Sequence, residues 1–300
     1  MRIYITGGTG FIGSYVTARL AELRKHELII LARNPEKTPA LKTLHNTKIV
    51  KAPFDDYTAL KKHIIKPDAL IHIALCWGDT GPDMLANETL SSVKLIDLAV
   101  KRGAKKIVFT SSTAASGYSH KCPSEETMLK PSDFYGAGKG ATELFISAYR
   151  NYHPKIKFNI VRPGYTFGNP VIPGADTQPD TRFKDICLKA KNGRKITVTE
   201  NDGTQFIWAG DLAEIYKNII EKNVKSEIFY GLSKNFTTWK QIAKWAVKYA
   251  ASKSKITSVD RGFSPHPVLF DVSKIDRYFG LSFNPSEKIK EHIKYFIENS

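Results

Sequence analysis

The chain is short of cysteine, of acid and of long apolar runs. Its three cysteines, Cys76, Cys122 and Cys187, stand far apart in 300 residues and show no metal-ligand spacing. So scattered and odd a set excludes a disulfide framework and a Cys/His metal site, and it points to a reducing compartment. No apolar segment reaches the roughly 20 residues that a membrane span needs, so no membrane partner is expected. The chain starts directly on an apolar run at Ile3, without a signal-peptide pattern, and a cytoplasmic location is expected. A Gly-x-Ser-x-Gly elbow is missing, and with it support for a serine hydrolase. There is no internal repeat and no low-complexity segment.

Acid is scarce: 29 Asp and Glu against 45 Lys and Arg leave a net charge of +16. Such an excess can attract nucleic acid. The basic residues are spread from Arg2 to Lys294, with no long run and no aromatic-interleaved basic motif. A lysine-rich solvated surface is therefore expected, and nucleic acid is not expected as a partner. With 42% hydrophobic residues the chain can bury a substantial core.

What is present begins in the first thirty-four residues. An apolar run, Ile3 to Ile5, enters Gly7-Gly8-Thr9-Gly10-Phe11-Ile12-Gly13; a helical pattern follows, then a second apolar run, Leu28 to Leu31. That is strand, glycine turn, helix, strand, the context in which a glycine motif binds a pyrophosphate. Gly7 suits the tight turn, Gly10 the approach of a phosphate, and Gly13 close packing of helix on strand. The free N–H groups of the helix start would face the anion.

Strand and helix patterns then alternate. Strands are predicted at Ile49–Val50, Asp68–Ala74, Lys106–Thr110 and Phe158–Arg162, and helices at Tyr57–Ile65, at roughly Pro82–Arg102 and from a cap at Ser132 or Asp133 to about Tyr149. This alternation predicts a parallel sheet covered on both faces. From Gly164 the texture changes to a long loop and then to helices mixed with short strands, which predicts a smaller lobe. Asp211 is expected to cap a helix from Leu212. His72, between Ile71 and Ile73, is expected to be a satisfied core histidine.

Two further stretches carry chemistry. Tyr135 and Lys139 share a helix face four residues apart, and an ammonium near a phenol favours the phenolate, which suits proton exchange with an alcohol or carbonyl. Gly136 and Gly138 cost helix stability there and suggest close backbone approach. Thr110-Ser111-Ser112-Thr113 ends a strand, where ligands of open parallel sheets bind. A hydroxyl there suits an oxygen on which Tyr135 acts, although serines also commonly cap turns.

TGGTGFIG, DALIHIAL, Asn87, VFTSSTAASG with YGAGK, VRPGYTFG and FIWAGDLAEI, in that order, resemble the extended short-chain dehydrogenase/reductase family, the NAD-dependent epimerases/dehydratases. The resemblance implies an α/β fold: a Rossmann-type doubly wound, seven-stranded, mostly parallel sheet with a smaller C-terminal substrate lobe. Residues 1–165, rejoined by about 204–231, would form the dinucleotide-binding part, and 166–203 with 232–300 the substrate lobe. Tyr135 would be the general acid/base, Lys139 would bind the nicotinamide ribose and lower the pKa of Tyr135, and Ser112 would orient the substrate oxygen. Gly7, Gly10, Phe11, Ile12 and Gly13 would cradle the pyrophosphate. Ala74 and Leu75 would line the adenosine side, Asn87 would stand in the helix behind it, and Pro163 and Gly164 would flank the nicotinamide. The activity implied is hydride transfer at a carbonyl or alcohol carbon, as in an epimerase, dehydratase or carbonyl reductase. Some relatives are instead redox sensors or RNA-associated modules, but these commonly lose the tyrosine and lysine retained here. Relatives often form homodimers through two helices, here around 85–100 and 135–150.

The chain also departs from the family pattern. NAD enzymes of the family usually carry an acid at the end of the second strand, where this chain has Ala32 followed by Arg33. A guanidinium suits a 2′-phosphate, so NADP(H) is expected over NAD(H). The adenine-contacting acid aligns with Pro53, leaving Asp56 as the nearest match. The arginine that nucleotide-sugar enzymes often place before the FIWAGD segment is absent, with Arg182, Arg194 and Arg261 as candidate substitutes. Cys76, Trp77, Thr113 and Tyr165 would make an aromatic substrate pocket, for a sugar derivative or another carbonyl compound.

Overall fold

The structure is a computed structural model and describes residues 1–117 and 122–299. The first half alternates through β1 (Arg2–Thr6), α1 (Phe11–Ala21), β2 (Glu27–Ala32), β3 (Thr47–Lys51), α2 (Tyr57–His63), β4 (Ala69–His72), α3 (Gly81–Met84), α4 (Ser91–Lys101), β5 (Lys106–Thr110), α5 (Phe134–Tyr152) and β6 (Lys157–Pro163). There follow β7 (Thr166–Phe167), α6 (Arg182–Lys191), β8 (Ile196–Thr199), β9 (Gly203–Thr204), β10 (Ile207–Trp208), α7 (Ala209–Glu221) and β11 (Ile228–Gly231). The chain ends through β12 (Thr237–Thr238), α8 (Trp239–Tyr249), β13 (Ile256–Val259), α9 (Ser273–Phe279) and α10 (Ser286–Glu298).

Seven strands form one sheet in the order β11-β6-β5-β4-β1-β2-β3, every pair parallel. Both faces are buried over β1, β2, β4 and β5, which read as apolar runs, while the edge strand β3 is only half-buried. Ile3 and Ile5 face a core shared with Val16 and Leu20 of α1 and Ile215 and Ile219 of α7. Tyr4 and Leu70 face the opposite core, with Leu60 of α2, Leu95 and Ile96 of α4 and Ile146 of α5. A third core joins α6, α8 and α10 around Phe183, Phe206 and Trp239, whose rings meet edge to face at 5.1–5.6 Å.

Two expectations need correction. The long helix over Pro82–Arg102 is interrupted: α3 passes into a π-helical turn, Leu85–Leu90, before α4 begins. Asp211 is no cap, because α7 starts two residues earlier with Trp208 at its N-cap; burial pushes the Asp211 carboxyl up to about 6.

Candidate active site

The strand order reverses between β1 and β4, which are neighbours in register from Ile3↔Ala69 to Thr6↔His72. Connections leave this point to opposite faces of the sheet, and a crevice opens at the strand ends. There Gly7 takes φ +72°, and a Cβ on it would stand 2.6 Å from the Ala74 nitrogen. A Cβ on Gly13 would overlap the Gly7 carbonyl, whereas one on Gly10 would meet nothing nearer than 3.3 Å. Gly10 is the N-cap of α1, whose first turn carries no acid. The turn thus presents bare backbone and a helix N-terminus to a cleft of about 1050 Å³, a cradle that fits an anionic pyrophosphate. Gly7, Gly10, Phe11, Ile12, Gly13, Arg33, Ala74 and Leu75 line one stretch of this cleft; Ser112, Tyr135, Lys139, Pro163, Gly164 and Tyr165 line the other.

Ser112 follows β5 and caps the short turn Thr113–Ala115, its Oγ accepting from the Ala114 nitrogen at 3.1 Å. The oxygen is used, but its proton remains free to be donated into the cleft. Behind it Ser111 donates to Glu143, which also takes three bonds of 2.6–3.2 Å from the buried Arg162 on β6. That charged brace fixes the strand ends that carry Ser112. Asp133 caps α5 through the Gly136 nitrogen at 2.6 Å. Gly136 lets α5 press on the Ala114 carbonyl, and Gly138 lets it press on Met84.

Tyr135 and Lys139 lie one turn apart on α5, with the Lys139 Nζ 6.0 Å from the Tyr135 ring centroid. The Tyr135 hydroxyl has no hydrogen-bond partner among the described residues, and Trp77 stacks on its ring at 5.8 Å and 24°. The Lys139 Nζ donates to Glu88 Oε1 at 2.5 Å; the two side chains are 3% and 0% exposed. Sequence reasoning passed over Glu88, although it lies four residues after Met84 and four before Ser92, all three buried.

Other expected site residues lie elsewhere. Asp56 is off the cleft wall: its carboxylate accepts from the Ala59 nitrogen at 2.9 Å and caps α2, while Pro53 and Phe54 line the cleft. Asn87 turns to the Trp77 carbonyl at 3.2 Å. Cys76 sits between Arg33 and Asp55, at 3.9 and 3.8 Å, and burial, then Asp55, push its thiol up. Thr113 belongs to the turn behind Ser112. Arg182 pairs with Asp180 at 2.6 Å and lies 4.5 Å over the Trp239 ring. His72 is a satisfied core residue, bonded to Thr6 and Ser92 at 2.6 and 2.8 Å; burial, then Lys139, hold it neutral.

The loop after β7 crosses the cleft and contributes Asp176, Thr177, Gln178 and Asp180 to its wall, residues the sequence did not single out. Three anchors hold this loop. Tyr15 donates to the Asn169 carbonyl at 2.5 Å, Lys37 pairs with Asp176 at 2.6 Å, and His292 of α10 bonds Asn169 and Gln178 at 2.6 and 2.8 Å. Among the described residues no group of three His, Cys, Asp or Glu is placed to hold a metal, and no helix is long and apolar enough to cross a membrane.

The chain is similar to curated proteins along most of its length. It is 25% identical to the mouse dTDP-D-glucose 4,6-dehydratase over 323 aligned positions, covering 99% of this chain and 88% of that protein. It is 25% identical to the UDP-glucose 4-epimerase of Mycolicibacterium smegmatis over 229 positions, 72% of each. Among solved structures, UDP-glucuronic acid 4-epimerase from Bacillus cereus, in complex with UDP-glucuronic acid and NAD, superposes with a TM-score of 0.83 at 17% identity, all of both chains being covered. UDP-glucose 4-epimerase from Thermotoga maritima, solved with UDP-glucose, gives 0.80 at 18%, covering 100% and 99%. The NAD dependent epimerase/dehydratase family model matches residues 3–230, and the chain belongs to that family.

Proposed function

We propose that this chain is an NAD(P)-dependent oxidoreductase or epimerase that works on an alcohol or carbonyl carbon through Ser112, Tyr135 and Lys139. The observation that carries the reading is that the glycine turn and these three side chains line one cleft at the sheet's switch point. Gly7, Gly10, Phe11, Ile12 and Gly13 would hold the pyrophosphate of the dinucleotide, and Pro163 and Gly164 would flank its nicotinamide. When bound, the nicotinamide supplies or takes the hydride. Ser112 donates its free proton to the substrate oxygen and orients it. The unpartnered Tyr135 hydroxyl passes its proton to that oxygen on reduction and recovers it on oxidation. An ammonium one helical turn away, that of Lys139, favours the charged form of a phenol. In the same reading residues 1–165 and 204–231 bind the dinucleotide, and 166–203 with 232–300 form the substrate lobe.

NADP(H) is favoured over NAD(H) on local charge. β2 ends at Ala32 without a carboxylate, and Arg33 lines the cleft beside it, whereas Lys37 on the same wall is paired with Asp176. The substrate is a sugar derivative or another carbonyl compound, received beneath Trp77 and beside Tyr165. The free, scattered thiols suit the cytoplasm. A non-catalytic redox-sensor or RNA-associated role is not favoured, since Tyr135 and Lys139 are both kept and both line the cleft.

The test is turnover with NAD⁺ and NADP⁺ against UDP-glucose, dTDP-glucose and a set of aldehydes and ketones. Absorbance at 340 nm reads net oxidation or reduction, and proton NMR reads epimerised or dehydrated sugar. Tyr135→Phe should lower the turnover found by about 10²–10⁴-fold with cofactor Kd nearly unchanged. Near-normal turnover in that variant overturns the assignment.

A further inference from the structure

Lys139 lines the cleft and pairs with the fully buried Glu88, and the proposed chemistry uses only the lysine. Desolvating both members of an ion pair offsets much of their attraction, so the pair is poorly explained as a device for stability. Glu88 does more than neutralise. While Oε1 holds the Lys139 Nζ at 2.5 Å, Oε2 accepts from the Cys76 nitrogen at 2.9 Å. Its neighbours in the π turn grip the same two segments: Asn87 donates to the Trp77 carbonyl, and Thr89 donates to the Gly138 carbonyl, each at 3.2 Å. Three consecutive residues thus tie the loop after β4 to the first turns of α5. A π turn places side chains out of ordinary helical phase and is often found at functional sites.

We propose that Glu88 is a positioning residue: it fixes the Lys139 ammonium and the Cys76–Trp77 backbone against Tyr135, and cancels part of the positive charge that Lys139 exerts on the phenol. The inference rests on the Ser112-Tyr135-Lys139 reading above. The charged and titratable groups around Glu88 are Lys139 from α5, His72 from β4, held neutral by burial, and the Cys76 thiol, with Asp55 and Arg33 beyond it; Tyr135 also feels the buried Tyr216 of α7. Replacing Glu88 with a neutral isostere therefore leaves Lys139 uncompensated, and the phenol ionises more readily.

Ionisation of Tyr135 is read in NAD⁺-saturated protein as the tyrosinate absorbance near 295 nm that disappears in the matching Tyr135→Phe variant. Glu88→Gln should move that midpoint to lower pH by about one unit. Glu88→Asp keeps the charge but is too short to hold both Lys139 and the Cys76 N–H. It should leave the midpoint near that of the parent and raise the Kd for NADH, read by fluorescence, about fivefold through loss of one bond. An unmoved midpoint in Glu88→Gln overturns the inference; should that variant not fold, an unmoved Kd in Glu88→Asp does so. Near-normal turnover in Tyr135→Phe overturns the Ser112-Tyr135-Lys139 reading itself, a distinguishable result.

Discussion

Mild acid should loosen the loop that crosses the cleft, through His292 of α10. The ring is 1% exposed and packs edge-on against Phe183 and Phe296 at 5.0 and 4.6 Å. The Gln178 amide nitrogen can only donate, so the His292 Nε2 accepts from it and the Nδ1–H is left to donate to Asn169 Oδ1. A proton added at Nε2 would face another N–H. Burial accordingly lowers this histidine from 6.5 to about 3. The unfolded chain binds this proton more readily than the folded one, so stability rises with pH. The contribution is complete above the unfolded pKa of 6.5 and is lost as the pH falls towards 3. Between pH 7 and pH 5 the loss is about 2 kcal/mol, at 1.36 kcal/mol per unit, and full burial leaves no solvent screening to discount. Urea melts at both pH values measure it, with His292→Gln as the non-titrating control. Other groups titrate in both proteins, so the pH-dependent loss in the variant should be smaller than that of the parent by about 2 kcal/mol. Equal losses would refute the assignment of this pH dependence to His292. Hydrogen exchange at pH 5 should rise first in residues 168–180, where the histidine's two partners lie.

Three further outcomes are expected at the cleft and on the surface. Arg33→Ala should raise the Kd for NADPH about tenfold or more, the worth of a hydrogen bond to a charged group, and leave that for NADH within about twofold, both read by fluorescence titration. Gly13→Ala puts a methyl group onto the Gly7 carbonyl, and should lower stability in urea by about 1–3 kcal/mol and abolish measurable dinucleotide binding. Leu144 and Phe145 of α5 are 65% and 50% exposed, and a homodimer through that face should become monomeric in sedimentation velocity when both are changed to Glu. A parent that sediments as a monomer removes the dimer proposal.

What could be read from the sequence is what local pattern determines. Parallel strands buried on both faces must be apolar throughout, so β1, β2, β4, β5 and β6 stand out as runs. The glycine turn is legible because Gly7 and Gly13 face backbone atoms that a Cβ would strike. Asp56 and Arg182 were misleading because their nearest partners are local: the Ala59 nitrogen three residues on, and Asp180 two residues back. A residue type suited to a ligand is equally suited to its own chain, and short range wins on entropy. The loop residues Asp176 and Gln178 carry no pattern at all, since their place over the cleft is set by contacts with Lys37 and His292 that are distant in sequence. Glu88 is the instructive case. Met84, Glu88, Ser92 and Leu95 are fully buried or nearly so and are spaced in the sequence as one helical stripe, although the π turn Leu85–Leu90 shifts the phase between them. A carboxylate is almost never fully buried unless it is paired, so the burial of Glu88 demands a cation. The lysine that answers lies one turn beyond Tyr135, which is why the buried charge belongs to the site rather than to the core.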